Sequence, residues 1–189
     1  MKTVIRCPWP TDIPLMIRYH DNEWGVPVHN DKKLFEFLIL EGFQAGLSWR
    51  TILNKRENFR KAFDNFDFNK VAEYDKRKIN SLLKDEGIIR NKLKIEGAIA
   101  NAKAFLQVRK ELGTFDKYVW SFVNGKPLQN KFKSLKDIPA RTKLSDKISD
   151  DLKKREFKFV GSTIIYAHMQ ATGMVNDHLI SCFRYKELR

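Results

Sequence analysis

KFVGST, residues 158 to 163, lies between two segments whose apolar residues recur at three and four positions. That spacing predicts a helix on each side, with a tight turn at Gly161 between them. A helix starting there leaves its first backbone N–H groups without intrahelical acceptors. They face outward as a site for an anion the size of a phosphate. A plain glycine turn joining two packed helices, with no ligand, fits the same letters.

The three- and four-residue spacing extends along most of the chain, and period-two alternation is scarce, so the predicted fold is all-α. Asp31 is placed to cap a helix through KKLFEFLILEGF, whose crowded apolar residues imply burial on several sides. LSWRTILNKRENFRKAF forms the next, with Leu47, Ile52, Leu53, Phe59 and Phe63 along one stripe. Shorter helices start from Asp67 and Asp75 and end by Gly87, and a long one runs from near Asn91 to Gly113. Thr114 caps FDKYVWSFV, which Asn124-Gly125-Lys126-Pro127 ends. Residues 128–140 read as a polar connector, Ser145 opens a further helix, and two more cover Thr163 to Thr172 and Asn176 to Phe183.

The chain has 189 residues, 42% of them hydrophobic, which suits one well-buried domain of two helical lobes over 1–189. No apolar run is long enough for a signal peptide or a membrane span, so a soluble, cytoplasmic protein without a membrane partner is expected. Lys and Arg total 36 against 23 Asp and Glu, a net charge of +13 spread along the chain. Such an excess suits a phosphate backbone as partner, and equally a well-solvated surface.

NDHLISC, residues 176 to 182, sets His178 and Cys182 four positions apart. On a helix they share one face and grip one ion. Cys7 and His20, at the other end of the chain, complete two sulfurs and two nitrogens. That is a closed tetrahedral zinc set, structural rather than catalytic, which clasps the two ends of the chain together. Two buried thiols or a disulfide fit the same cysteines, although a reducing cytosol disfavours the disulfide.

Glu41 stands in an otherwise apolar helix, where a carboxylate without a partner is costly. A bend at Ala45-Gly46 separates it from Trp49, and Trp9, Tyr19 and Trp24 fall in the same N-terminal stretch. Aromatics usually serve as core. A carboxylate beside tryptophans also suits a flat cationic ring, which needs a stacking face, cation–π attraction and a hydrogen-bond acceptor.

YHDNEWGVP at 19–27, EGFQAGLSW at 41–49, YVWSFVNG at 118–125 and FKFVGSTIIY at 157–166, followed by VNDH, resemble the DNA-3-methyladenine glycosylase I family over essentially the whole chain. The resemblance implies an all-helical member of the helix-hairpin-helix glycosylase superfamily, acting as a monomer on alkylated double-stranded DNA. It also implies a structural Zn2+ on Cys7, His20, His178 and Cys182. The base pocket carries over onto Glu41, Trp49 and Tyr19, with Trp9 and Trp24 near it, and the hairpin onto Lys158, Gly161, Ser162 and Thr163.

Relatives such as endonuclease III carry G-V-G-x-K in the hairpin and V-D-x-H after it, with the lysine as nucleophile. Here Thr163 stands at the lysine position and Asn176 at the aspartate position. The resemblance therefore implies a monofunctional enzyme of base excision repair that releases free 3-methyladenine and leaves the strand intact. Phe159 replaces the first hairpin glycine, and Glu156 stands where the family often has glycine. Glu41 is the residue expected to be essential, through recognition of the cationic base. Leu47, just past the bend, is placed either to fill the gap left in the duplex or to pack as a plain core leucine. Two rivals remain: a non-catalytic zinc-stabilised DNA-binding module, in which Glu41 pairs with a buried Arg or Lys, and a glycosylase for a different lesion.

Overall fold

The computed structural model describes residues 4–189. Among them are ten α-helices: α1 Pro14–Asn22, α2 Asp31–Gln44, α3 Trp49–Ala62, α4 Phe68–Ala72, α5 Lys76–Lys84, α6 Lys92–Leu112, α7 Phe115–Ser121, α8 Lys143–Lys154, α9 Ser162–Ala171 and α10 Phe183–Glu187. One pair of two-residue parallel strands, β1 Leu128–Gln129 and β2 Val175–Asn176, accompanies them. None of these helices is long and apolar enough to cross a membrane.

Helix α2 is central because it is buried all round: every residue from Leu34 to Phe43 is buried, Glu36 and Glu41 included. It packs against α3, α6 and α9. Its cap is Asn30 rather than Asp31, with the Asn30 side chain accepting from the Lys33 N–H at 3.0 Å. One residue further in, the Asp31 carboxylate reaches across the fold. It accepts from the N–H groups of Phe115 and Asp116, at 3.2 and 2.9 Å, and pairs with Arg109 at 2.8 Å. Asp31 thus serves the start of α7, where orphan N–H groups and the positive end of the helix dipole favour a carboxylate.

Ser145 likewise lies inside its helix. Thr142 caps α8, its hydroxyl accepting from the Ser145 N–H while Ser145 Oγ accepts from the Thr142 N–H. The predicted helix from Asn176 to Phe183 is absent. Residues 177–182 form a turn and α10 starts at Phe183. Residues 128–140 are not wholly irregular either, since β1 pairs there with β2.

The hairpin follows α8. Glu156 and Phe159 have φ of 68° and 55°, the left-handed region that glycine occupies without strain, which is why glycine suits both positions. The Phe159 ring lies against Gly97, where a Cβ would come within 2.7 Å of it, so α6 carries glycine at the contact. Asn101 of α6 fixes the turn from both sides: its Oδ1 accepts from the Lys158 N–H at 2.6 Å and its Nδ2 donates to the Lys158 carbonyl at 3.0 Å. Ser149 Oγ donates to the Val160 carbonyl at 2.6 Å.

Buried apolar side chains form two clusters. The larger, rich in phenylalanine, joins α2, α3, α4, α6, α7, α8 and α9. The smaller gathers Cys7, Tyr19, Trp24, Phe37 and Cys182 beneath the chain termini. Gly173 sews the two together: it passes so close to residues 25–27 that a Cβ would stand 2.5 Å from the Pro27 nitrogen.

His168 of α9 is buried with neither ring nitrogen hydrogen-bonded among the described residues. Burial pushes its pKa down from 6.5 to about 4. The folded chain therefore holds neutral His168 while the unfolded chain takes up a proton, so this contribution is present above pH 6.5 and lost as pH falls to about 4. The loss amounts to about 3 kcal/mol. His168→Leu should flatten the acid limb of stability across that window, read as urea midpoints from pH 7 to 4. A midpoint that falls with acid as steeply as wild type removes His168 as a cause.

Candidate functional site

A cleft of about 240 Å³ opens between α1, α2, α3 and α9, lined by Trp9, Tyr19, Trp24, Glu41, Trp49 and Gln170, among others. A second hollow of about 190 Å³ shares Glu41, Gln44 and Ala167 with it and reaches Leu47 and Thr163. The five residues predicted for the base pocket thus meet at one place.

The aromatics interlock. Trp9 and Trp24 meet edge to face with centroids 5.1 Å apart, and Tyr19 and Trp49 are tilted at 5.5 Å. The Trp9 indole N–H is buried without an acceptor among the described residues. Tyr19 is buried, and its phenol is held well above its usual range by desolvation first and then by the nearby Glu41 carboxylate.

Glu41 is 4% exposed and has no hydrogen-bond or ion-pair partner among the described residues. Desolvation pushes its pKa up to about 8. The buried guanidinium is engaged elsewhere: Arg56 donates to Glu36 at 2.7 Å and to Glu23 at 2.8 Å. Glu41 thus lacks the partner that a merely structural role requires. An acid left unpaired on the wall of an aromatic cleft is arranged for a ligand with hydrogen-bond donors or positive charge.

The bend at Ala45-Gly46 is braced from α6. Lys94 Nζ donates to the Phe43 carbonyl at 2.9 Å and to the Ala45 carbonyl at 2.6 Å, filling acceptors left over at the end of α2. Ser48 caps α3, which Trp49 opens. Leu47, on the bend, is 41% exposed, which decides against a core leucine. At the hairpin, the N–H groups of Ser162, Thr163 and Ile164 have no acceptor among the described residues, whereas that of Lys158 is taken by Asn101. The open anion site therefore lies at the start of α9 rather than along the whole turn.

Cys7, His20, His178 and Cys182 are all buried, with ligand atoms within 4.8 Å of one another. The segment 178–182 needed no helix to achieve this, because the turn itself brings Cys182 Sγ to 3.6 Å from His178 Nδ1. Cys7 Sγ lies 3.7 Å from the same nitrogen, and Cys182 Sγ lies 3.5 Å from His20 Nε2. Tetrahedral zinc separates sulfur from nitrogen by about 3.5 Å, so the donor set fits that ion. The remaining ring nitrogens are oriented as metal-bound imidazoles are: His20 Nδ1 lies 2.7 Å from Asp21 Oδ1, and His178 Nε2 lies 3.0 Å from the Trp24 carbonyl. The two cysteines are not joined in a disulfide. Cys182 is driven toward the thiolate, first by the Cys7 thiol beside it and then by the neighbouring His178 and His20 rings.

The Methyladenine glycosylase family model matches residues 9–185. The chain belongs to the methyladenine glycosylase family. It is 52% identical over 180 residues to DNA-3-methyladenine glycosylase 1 of Escherichia coli, covering 95% of this chain and 96% of that one. A crystal structure of 3-methyladenine DNA glycosylase I superposes with a TM-score of 0.92 at 50% identity, covering 95% and 98% of the two chains. The Staphylococcus aureus enzyme, whose structure describes the basis of 3-methyladenine recognition, superposes with a TM-score of 0.92 at 35% identity, covering 94% and 95%. The expected all-α fold is met by a mostly helical chain that carries one short β1–β2 pair.

Four residues of this site carried no sequence signal. Gln44 and Gln170 line the cleft, Lys94 braces the bend, and Asp177 lies behind Gln170. Lys94, Gln170 and Asp177 act through partners on other elements, and Gln44 joins the cleft only by the packing of α2, none of which local pattern encodes.

Proposed function

We propose that this chain is a monofunctional DNA glycosylase that flips 3-methyladenine out of alkylated duplex DNA and hydrolyses its N-glycosidic bond. The observation that carries this reading is the partnerless carboxylate of Glu41 inside an aromatic cleft. Methylation at N3 makes adenine cationic. When the bond from C1′ to N9 breaks, its electron pair neutralises the base, so departure needs little acid catalysis. Water adds at C1′ and its proton passes to solvent.

Rotating the nucleotide out of the stack costs a few kcal/mol, least for a damaged pair. Free N–H groups at the start of α9, with Lys158, Gly161, Ser162 and Thr163, hold a backbone phosphate while Leu47 fills the vacated space. Tyr19 and Trp49 flank the base, Trp9 and Trp24 close the cleft, and Glu41 favours its positive charge. Thr163 offers a hydroxyl where strand-cutting relatives place lysine, so no Schiff base forms from that position. Asn176 is occupied structurally, donating to Gln129 at 2.9 Å and to the Tyr185 carbonyl at 3.1 Å, which suits no role as a base. Cys7, His20, His178 and Cys182 hold a structural Zn2+ that supplies rigidity and no chemistry. The described residues 4–189 make up one glycosylase domain of two lobes, active as a monomer.

The test is incubation of the protein with methylated duplex DNA, chromatography of released bases and inspection of the strands for nicks. Free 3-methyladenine with intact abasic strands is expected. Folded protein that releases no base would leave the DNA-binding module as the better account.

A further inference from the structure

Gln170, near the end of α9, lines the same cleft as Glu41 and has no part in the reaction just described. Its amide is not free to turn. Nε2 donates to Asp177 Oδ2 at 2.8 Å, and the Tyr166 hydroxyl donates to the same oxygen at 2.7 Å. Asp177 Oδ1 accepts from Asn130 Nδ2 at 2.6 Å. Asp177 and Tyr166 are both buried. Three donors therefore converge on a carboxylate that has no hydrogen to offer in return. Turning the Gln170 amide would set oxygen against oxygen inside a buried network, where an unmade hydrogen bond is costly.

With the nitrogen committed, Oε1 is what remains. No donor reaches it among the described residues, and it is not among the partnerless atoms sealed from solvent. It is an unengaged acceptor on a residue of the cleft wall and is not sealed from solvent.

We infer that Gln170, oriented by Asp177, is a specificity-determining acceptor that favours a base with an amino group at position 6 over one with a carbonyl there. This rests on the glycosylase reading, and it names which cationic purine the cleft takes. 3-Methylguanine bears the same methyl group and the same charge as 3-methyladenine, so the attraction of Glu41 for a cation does not separate them. The 6-position does. Adenine presents N–H donors there, whereas guanine presents an oxygen, and two acceptors facing each other leave both without a hydrogen bond.

The experiment uses one duplex preparation methylated to contain both lesions, with kcat/KM measured for each released base. Wild type should release 3-methyladenine in preference to 3-methylguanine. Gln170→Leu and Gln170→Met, checked for folding by thermal melting, should lower release of 3-methyladenine about three- to tenfold, the size of one hydrogen bond. Release of 3-methylguanine should hold or rise, so the ratio between the two falls. Should both rates drop in parallel in both variants, Gln170 is only a structural part of the cleft wall and the inference fails. An active wild type whose ratio is unchanged in the variants also overturns it, leaving the glycosylase reading intact. A folded wild type that releases no 3-methyladenine removes that reading and this inference with it.

Discussion

Glu41→Gln should lower kcat/KM for release of 3-methyladenine by about 100-fold or more, the scale of removing one preorganised electrostatic contact to a developing or resident charge. The substitution keeps shape and hydrogen-bonding capacity and removes only the negative charge. The pH dependence tests the same point without relying on a single rate. Desolvation holds the Glu41 pKa at about 8 in the free protein, so below that value most molecules carry the neutral acid. A cationic base binds the ionised form, and kcat/KM reports the free enzyme. The wild-type rate should therefore rise with pH up to about 8, approaching tenfold per unit on the acid side, and the Gln variant should be flat over the same range. A flat wild-type profile between pH 6 and 8.5, or a Gln variant within a few-fold of wild type, would take Glu41 out of substrate recognition.

The same group carries a stability consequence of opposite sense to His168. Because the folded-state pKa of Glu41 is raised from 4.5 to about 8, the folded chain keeps a proton that the unfolded chain has released. Stability from this group is complete below pH 4.5 and is lost as pH rises through about 8. The Gln variant should thus be more stable than wild type at pH 8, by about a few kcal/mol at most since the carboxylate lines an open cleft, read as urea midpoints. Lower activity with higher stability is what distinguishes a functional acid from a structural one.

Much of this was legible from sequence because it is local. Asp67, Asp75, Asn91 and Thr114 cap their helices through bonds to N–H groups two or three residues on. Glu41 was conspicuous because a charge in an apolar helix needs an explanation wherever the helix goes. The misplacements have equally physical causes. Asn30 and Asp31 are adjacent and equally able to cap, and only the position of α7 shows why the aspartate is used elsewhere. The β1–β2 pairing is two residues long and parallel, so it has no alternation to display. For His178 and Cys182, spacing led to the correct partners through a helix that does not exist; a turn of similar reach delivers the same two atoms. The orientation of Gln170 was beyond reach, because Asp177, Asn130 and Tyr166 meet only in the folded chain.

Cys182→Ala should lower stability by on the order of 3 kcal/mol, and the melting temperature by about 6–12 °C for a chain of this size, with excision per folded molecule largely kept. The reason lies in what the cluster touches. His178 packs edge to face on Trp24 with centroids 4.6 Å apart and is bonded to the Trp24 carbonyl, and His20 lies 5.3 Å from Trp9. A bound ion would therefore tie both terminal segments to two tryptophans of the cleft, and with four protein ligands it would have no position open for chemistry. Metal analysis of purified protein should give about one zinc per chain, as four closed ligands require. A strong chelator should then shift the wild-type melt toward that of the variant, and leave the variant itself nearly unmoved. If the protein carries no metal and melts identically with and without chelator, the four side chains are a buried hydrogen-bonded cluster. Cys182→Ala would in that case cost only the packing and hydrogen bonds of one thiolate. The paired melts separate the two cases, because only a bound ion makes the loss depend on the chelator.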